Sequence, residues 1–164
     1  MAINSTLDRI DIKILDALQK DGRLSNKELA ALVRLSPSSC WERVRQLRET
    51  GVLVGFHAEL DPKALGIGLQ AMIGVRLKRH TREAVESFRV HALAVEEVMA
   101  VYHVTGDKDF LVHVAARDAE HLRDLALEAF TTRAEVASLE TSLIFQGDRG
   151  AGLPIFHSLV EGEK

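Results

Sequence analysis

The N-terminal part of the chain places apolar side chains at helical spacing in successive stretches. The first stretch runs from Leu7 to Leu18 and forms one apolar stripe, so it predicts an amphipathic helix. A second helix is predicted to begin at Ser25, because Ser25 and Glu28 have the spacing at which hydroxyl and carboxylate each bond a free backbone amide. Both stripes are expected to face a common core.

A third helix is predicted to begin at Ser36, where a capping hydroxyl is followed by proline, and to end at Thr50 before a glycine. Only Arg34, Leu35 and Ser36 separate it from the second helix, which is the spacing of a helix-turn-helix. The third helix would then lie in the major groove of duplex DNA. The predicted DNA-binding residues are polar residues on its outward face and at the two helix starts: Ser25, Ser36, Ser38, Ser39, Glu42, Arg43, Arg45, Gln46 and Arg48.

The spacing alone leaves an ordinary solvated surface open as an alternative, because arginine-rich outer faces are common on small helices. Two residues beside the apolar stripe are interpreted as structural. Cys40 is predicted to be a small core residue, and Trp41 to be a packing residue at the domain edge rather than a base-stacking one.

The period of the pattern changes to two after Gly51. Apolar residues alternate from Val52 to Leu60, which predicts a strand with one better-buried face, and Lys63 to Gly68 is a predicted linker. The later pattern predicts strands and helices in the order β-α-β-β-α-β, the ferredoxin-like arrangement with two helices on one face of an antiparallel sheet. The predicted strands cover 69–78, 98–105, 110–115 and 136–145, and the predicted helices cover 81–91 and 119–130.

The expected fold class is therefore α+β, with a winged-type helix-turn-helix followed by a ferredoxin-like sensory domain. The predicted domains are residues 1–52 for the helix-turn-helix, 53–68 for a hinge strand and linker, and 69–164 for the sensory domain. The helices leave one sheet face open, and an apolar patch there favours a homodimer. The residues predicted for that face are Met72, Met99, Val101, Leu111 and Ile144.

Charge is distributed unevenly, although the whole chain has a formal net charge of −3. Residues 1–52 carry nine basic and seven acidic side chains, whereas the remainder carries twelve and seventeen. The first part can therefore approach phosphate more readily than the second. With no apolar run near the roughly 20 residues that span a bilayer and no secretory signal pattern, the chain is expected in the cytoplasm.

Catalysis and metal binding have little support in the sequence. Cys40 is the single cysteine, the histidines lack ligand spacing, and His103 and His113 should point to opposite sheet faces. No cofactor, metal site or enzymatic activity is expected. A small metabolic enzyme and a ligand-sensing module that acts through a protein partner remain as alternatives.

Six stretches together resemble the Lrp/AsnC, or feast/famine, transcription regulators: Leu7 to Leu15, Asp21 to Ser25, Leu35 to Cys40, Arg43 to Leu47, Gly51 to Leu53 and Gly106 to Phe110. The resemblance covers nearly the whole chain. It implies a DNA-binding head, a hinge strand, and a sensory domain that dimerises through its sheets and often assembles into octamers. It also implies amino-acid effectors that bind at interfaces between sensory domains, near the loop from Thr105 to Asp109.

This loop suits an amino acid chemically, because Gly106 lets backbone amides approach an α-carboxylate and Asp107 or Asp109 can accept from an α-ammonium. Without the resemblance, the Gly-Asp pair would indicate only a turn. The predicted effector-binding residues are Met99, Val101, Tyr102, His103, Val104, Thr105, Gly106, Asp107 and Asp109. Which amino acid binds, and whether the regulator activates or represses, stay open.

One position departs from the family pattern. Arg34 stands in the turn where the family commonly has glycine. If its φ is positive, the arginine costs about 1 kcal/mol relative to glycine.

Overall fold

The computed structural model describes residues 7–148, 150 and 152–156. These residues form two compact units, which divide between residues 59 and 60. The first unit, called the head below, also contains the described residues from 148 to 156, which the sequence analysis grouped with the sensory domain. The second unit, residues 60–147, is called the sensory unit.

The head contains the predicted helices, with bounds α1 Arg9–Lys20, α2 Asn26–Val33 and α3 Pro37–Glu49. Ser25 and Glu28 form the predicted capping box at the start of α2. Asp8 and Asp11 form a second capping box at the start of α1, which the sequence analysis did not predict. The buried core of the head lies among the helices and consists of Leu7, Ile14, Leu15, Leu18, Leu29, Ala30, Val33, Cys40 and Leu47.

The turn between α2 and α3 is tight because Arg34 is left-handed, with φ +59° and ψ +46°. Its amide bonds the Ala31 carbonyl at 3.3 Å, and the Leu35 amide bonds the Ala30 carbonyl at 2.9 Å. These bonds satisfy carbonyls at the end of α2. Because the family commonly has glycine at this position, a positive φ was expected, and Arg34 adopts it. The arginine costs about 1 kcal/mol relative to glycine.

The strand predicted over residues 52–60 is wrong. This segment has a bend at its start and irregular backbone after it, and Val54 is 90% exposed. An alternating pattern supplies one apolar face, but a strand also needs a neighbour for its backbone groups. Among the described residues of this single chain, none pairs with it.

The C-terminal tail packs on the head. Ile155 contacts the head core, and the Gln19 side chain bonds both backbone groups of Leu153. Gln19 Oε1 accepts from the Leu153 amide at 2.5 Å, and Gln19 Nε2 donates to the Leu153 carbonyl at 3.3 Å. The tail is therefore an added layer of the head.

The sensory unit has the predicted β-α-β-β-α-β order. Its strands pair antiparallel in the order β2-β3-β1-β4. After the short helical turn Lys63–Leu65, the elements are β1 Leu69–Leu77, α4 Arg82–Leu93, β2 Val98–His103, β3 Phe110–Ala116, α5 Ala119–Leu125 with a π-helical extension Ala126–Thr131, and β4 Val136–Ile144. The ferredoxin-like expectation is confirmed.

Strand register assigns the two sheet faces. Alternate residues of β1 and β3, including Ile73 and Val112, pack into the core beneath α4 and α5. Met72, Leu111 and Ile144 lie on the open face, as predicted. The placement of Val101 on that face is wrong.

Val101 pairs with Val112 and packs against the core, so it lies on the helix side of the sheet. Met99 lies at an irregularity in the pairing of β2 with β3, where simple alternation does not apply. His103 pairs with Phe110, whose side chain is buried in the core, whereas His113 lies on the open face beside Gln70. The two histidines therefore point to opposite faces, as their parity predicts.

Candidate functional site

The outer face of α3 is the candidate nucleic-acid surface. Six of the predicted contact residues on this helix are exposed: Ser38, Ser39, Glu42, Arg45, Gln46 and Arg48. The opposite face carries Cys40 and Leu47, which are buried in the head core. Burial raises the pKa of the Cys40 thiol, so this side chain stays neutral, as expected of a core residue.

A group of hydroxyls surrounds the start of α3. Ser36 Oγ accepts from the Ser39 amide at 3.2 Å, and its oxygen lies 3.0 Å from Ser38 Oγ and 2.8 Å from Ser39 Oγ. The Asn26 side chain donates to the Pro37 carbonyl at 2.7 Å and so joins the starts of α2 and α3. The helix end that would approach DNA first therefore carries polar groups held in fixed positions.

Ser25, in contrast, is occupied within its own capping box. Its Oγ donates to Glu28 Oε2 at 2.6 Å and accepts from the Glu28 amide at 3.3 Å. Hydrogen bonds from the Ser25 hydroxyl and amide lower the pKa of Glu28. The carboxylate therefore stays charged at the helix start, where the helix dipole favours it.

Arg43 is not a freely exposed residue of the outer face. Its Nη1 lies 2.6 Å from Asp8 Oδ2 and 2.8 Å from Asp11 Oδ1, at the start of α1. These two hydrogen bonds outweigh desolvation and raise the pKa of Arg43. Helical periodicity predicts that Arg43 faces outward, beside the polar face of α3, but that periodicity contains no information about α1.

Trp41 also differs from its prediction as a packing residue. Its side chain is 55% exposed, and the Arg45 guanidinium carbon lies 5.4 Å from its ring centroid. Arg45 also faces Glu49 at 3.8 Å. The apolar stripe beside Trp41 suggested burial, but the head core is already closed by smaller side chains.

The predicted effector loop joins β2 to β3. The Val104 amide bonds the Asp109 carbonyl at 2.9 Å and closes the loop, and Gly106 has φ +114°. Thr105, Gly106 and Asp107 are exposed. Within the described part of the chain, no hydrogen bond or ion pair holds the Asp107 carboxylate.

Asp109 has a different environment from Asp107. It is 6% exposed, and its Oδ2 accepts from the Leu77 amide at 2.7 Å while its Oδ1 lies 2.8 Å from His80 Nδ1. Its carboxylate therefore fixes the loop to β1 and has little capacity left for a ligand. The sequence predicted that either aspartate could accept a hydrogen bond from an α-ammonium. Of the two, Asp107 is the one whose carboxylate has no hydrogen bond or ion pair among the described residues.

The remaining effector candidates lie on both sides of the sheet. His103 stacks on Phe110 with ring centroids 4.9 Å apart, and Val101 packs against the same core. Tyr102 projects to the opposite face and is 51% exposed. These side chains therefore cannot all line one pocket within a single chain.

Lys108 is a loop residue that sequence reasoning missed. Its aliphatic chain crosses Gly74 on β1, where a Cβ would meet it at 3.2 Å, and its Nζ lies 2.5 Å from Glu140 Oε2 on β4. The hydrogen bond from Lys108 lowers the pKa of Glu140. The signal in the sequence is Gly74 itself, since a glycine inside a strand often marks a close approach of another group.

Two general features follow from the described residues alone. Within them, no group of three or more histidine, cysteine or acidic side chains is placed to hold a metal ion. Their helices are all too short or too polar to cross a membrane.

Comparisons with known proteins agree with this geometry. The sequence profile of the winged helix-turn-helix DNA-binding family matches residues 7–54, and that of the Lrp/AsnC ligand binding domain matches residues 70–147. The HTH-type transcriptional regulator AldR of Mycolicibacterium smegmatis is 48% identical over 145 residues, which are 88% of this chain and 85% of AldR. The chain belongs to the Lrp/AsnC family.

Other Lrp/AsnC proteins match over similar lengths. The leucine-responsive regulatory protein of Haemophilus influenzae is 38% identical over 74% of each chain. The crystal structure of a transcriptional regulator in complex with L-Met from Neisseria meningitidis has a TM-score of 0.86 and 34% identity, and it covers 93% of this chain and 99% of that chain. This Lrp/AsnC chain is therefore a DNA-binding transcriptional regulator, as predicted, and its relatives are named as regulators rather than enzymes.

Proposed function

We propose that this protein binds specific duplex DNA sequences through α3 and that an amino acid bound at the loop between β2 and β3 changes its assembly or DNA affinity. The observation that carries the effector part is the contrast between the two loop aspartates. The Asp109 carboxylate is hydrogen-bonded within the fold, whereas Asp107 is exposed and its carboxylate has no hydrogen bond or ion pair among the described residues. Since its target is DNA, the protein acts in the cytoplasm.

The exposed residues of α3 divide by the parts of DNA they suit. The hydroxyls at its start, Ser38 and Ser39, are at the helix end that reaches base edges, and Glu42 follows one turn later. Arg45 and Arg48 lie nearer the C-terminal end and suit phosphates. Arg43 supports this surface indirectly, because its guanidinium fixes α3 against α1.

The effector loop offers two complementary groups to an amino acid. Gly106 has no Cβ, so an α-carboxylate can approach the backbone amides at the loop tip. The Asp107 carboxylate can accept charge-assisted hydrogen bonds from the α-ammonium. The L-Met complex of the Neisseria meningitidis regulator makes L-methionine the first amino acid to test.

Ligand binding at the loop would affect the head through the association of chains. We propose that two chains associate through the open sheet face, where Met72, Leu111 and Ile144 lie, and that dimers combine further, up to octamers. A ligand that contacts two chains shifts such an equilibrium only if it binds one arrangement better than another. The spacing of the DNA-reading helices would change with the arrangement.

Calorimetric titration tests the loop directly. We expect wild-type protein to bind at least one of the twenty standard amino acids, with L-methionine titrated first. Asp107→Asn should weaken that binding about ten- to a hundredfold, because hydrogen bonds to charged groups contribute about 1.5–3 kcal/mol. Glu128→Gln is the matched control, since it removes one negative charge from an exposed position on the extension of α5.

Uptake of the amino acid by Asp107→Asn with wild-type affinity would show that the loop assignment is wrong. The DNA part is tested with a duplex selected from a random-sequence library. Anisotropy and sedimentation velocity, each with and without the bound amino acid, should show a change in duplex affinity or in oligomeric state. If neither changes, the effector hypothesis is refuted while DNA binding stands.

A further inference from the structure

The chain's single tryptophan occupies an unexpected place. Trp41 lies on the exposed flank of α3, although a large aromatic side chain on a small domain is ordinarily placed in its core. Its neighbours on α3 are Arg45, one turn later, and Arg48, two turns later, so helical periodicity aligns the three side chains. An exposed indole beside two arginines is better explained by a role in binding than by packing.

The geometry of Trp41 and Arg45 is that of a cation–π pair. The Arg45 guanidinium carbon lies 5.4 Å from the indole ring centroid, within the roughly 6 Å at which a cation is attracted by the ring face. The competing partner of Arg45 is weak, because Glu49 is 3.8 Å away and 64% exposed. Trp41 therefore favours this position of the Arg45 guanidinium before any ligand arrives.

The same flank forms an open groove of about 470 Å³ between α3 and the segment that follows it. The residues that line this groove are Trp41, Val44, Arg45, Arg48, Glu49, Leu53 and Val54. Arg43 takes no part, because its guanidinium points to α1. The groove therefore combines an apolar wall with two cations and one carboxylate, and its net positive charge suits the sugar and phosphate of a nucleic-acid backbone.

We propose that Trp41 is a positioning residue that holds the Arg45 guanidinium for a phosphate of the DNA backbone. This inference rests on the proposed reading of duplex DNA by α3. A guanidinium that a ring already attracts to one position loses less side-chain freedom when it bonds a phosphate, so binding is stronger than with a freely rotating arginine. A phosphate is the target because Arg45 lies on the flank, while residues at the start of a recognition helix reach base edges.

The test is a double-mutant cycle on binding of the library-selected duplex, measured by anisotropy over a series of salt concentrations. Trp41→Ala should weaken binding about two- to fivefold, the range for an exposed cation–π pair, and Trp41→Phe should restore most of it. Arg45→Ala should lower the slope of log affinity against log salt by about one for each bound head. The effect of Trp41→Ala should disappear in the Arg45→Ala background and persist in the Arg48→Ala background.

Fluorescence gives an independent readout, because Trp41 is the only tryptophan of the chain. Its emission should change when the selected duplex is added to the wild type, and added salt should reverse the change. Circular dichroism of each variant establishes that the head stays folded. The inference about Trp41 would be overturned if Trp41→Ala binds the duplex with wild-type affinity. It would also be overturned if Trp41→Ala weakens binding equally whether residue 45 is arginine or alanine. Either result would leave the proposed function standing. A wild-type protein that binds no duplex would instead refute the proposed function.

Discussion

Arg43 provides the sharpest test of how the head is held together. The sequence predicts that it contacts DNA, whereas the structure places its guanidinium between two carboxylates of α1. We expect Arg43→Ala to destabilise the head, since it removes the link between α1 and α3 and leaves Asp8 and Asp11 facing each other without a cation. A surface arginine that served only DNA would have no such effect on folding.

The size of the effect follows from exposure. Hydrogen bonds between charged groups contribute about 1.5–3 kcal/mol when shielded, and fully exposed ion pairs contribute about 0.2–1 kcal/mol. Side-chain exposures are 32% for Arg43, 17% for Asp11 and 45% for Asp8, between these limits. We therefore expect a loss of about 1–2 kcal/mol in the free energy of unfolding, and a melting temperature lower by about 4–8 °C for each kcal/mol.

Urea unfolding followed by Trp41 fluorescence measures this loss, because Trp41 belongs to α3 and reports on the head. Arg48→Ala is the matched control, as it removes an exposed arginine from the same helix and should change stability by less than about 0.5 kcal/mol. If Arg43→Ala is no less stable than Arg48→Ala, the reasoning about Arg43 is refuted.

Acid should remove the same stabilisation. Burial raises the pKa of Asp8, but hydrogen bonds from the Asp11 amide, Arg43 and the Ile10 amide outweigh it and leave the pKa below the ordinary 3.8. A carboxyl whose pKa is lowered by folding contributes its full stabilisation above the ordinary pKa and loses it as the pH falls through the lowered value. The difference between wild type and Arg43→Ala should therefore be constant near neutral pH and shrink below about pH 3.8.

Two further substitutions test the backbone turn and the effector loop. Arg34→Gly should stabilise the head by about 1 kcal/mol, because glycine adopts φ +59° without steric strain, and urea unfolding with no gain would contradict the turn geometry. Asp109→Ala should lower the stability of the sensory unit by about 1–3 kcal/mol, because it leaves the buried Leu77 amide without its acceptor. If Asp109→Ala instead loses affinity for the amino acid while its melting temperature is unchanged, Asp109 binds the ligand and the structural role argued for it is wrong.

The loop between β2 and β3 shows which features depend on neighbouring residues and which depend on the fold. The alternating pattern on each side of Gly106 predicts a loop between two paired strands. The structure confirms this position, with β2 before the loop and β3 after it. The two aspartates of the loop are equivalent in the sequence, because both are acidic residues in a turn. They differ in the fold because the Leu77 amide at the end of β1 donates a hydrogen bond to the Asp109 carboxylate and not to that of Asp107.

The predicted strand over residues 52–60 failed for a related reason. Alternation predicted one better-buried face, but two of the residues expected on it, Val54 and Phe56, are 90% and 49% exposed. Pairing requires a second strand at hydrogen-bonding distance, and that depends on what the rest of the chain, or another chain, provides.

By itself, the sequence determined the helices of the head, the caps of α2 and α3, the tight turn before α3 and the order of strands and helices in the sensory unit. These features depend on the period of the apolar pattern and on residues within about four positions of one another. The tertiary structure alone decided that Arg43 faces α1, that the exposed Trp41 ring lies beside the Arg45 guanidinium, and that Asp109 is buried. Such outcomes depend on which side chains the fold brings together across the chain, and a one-dimensional pattern contains no distances between elements.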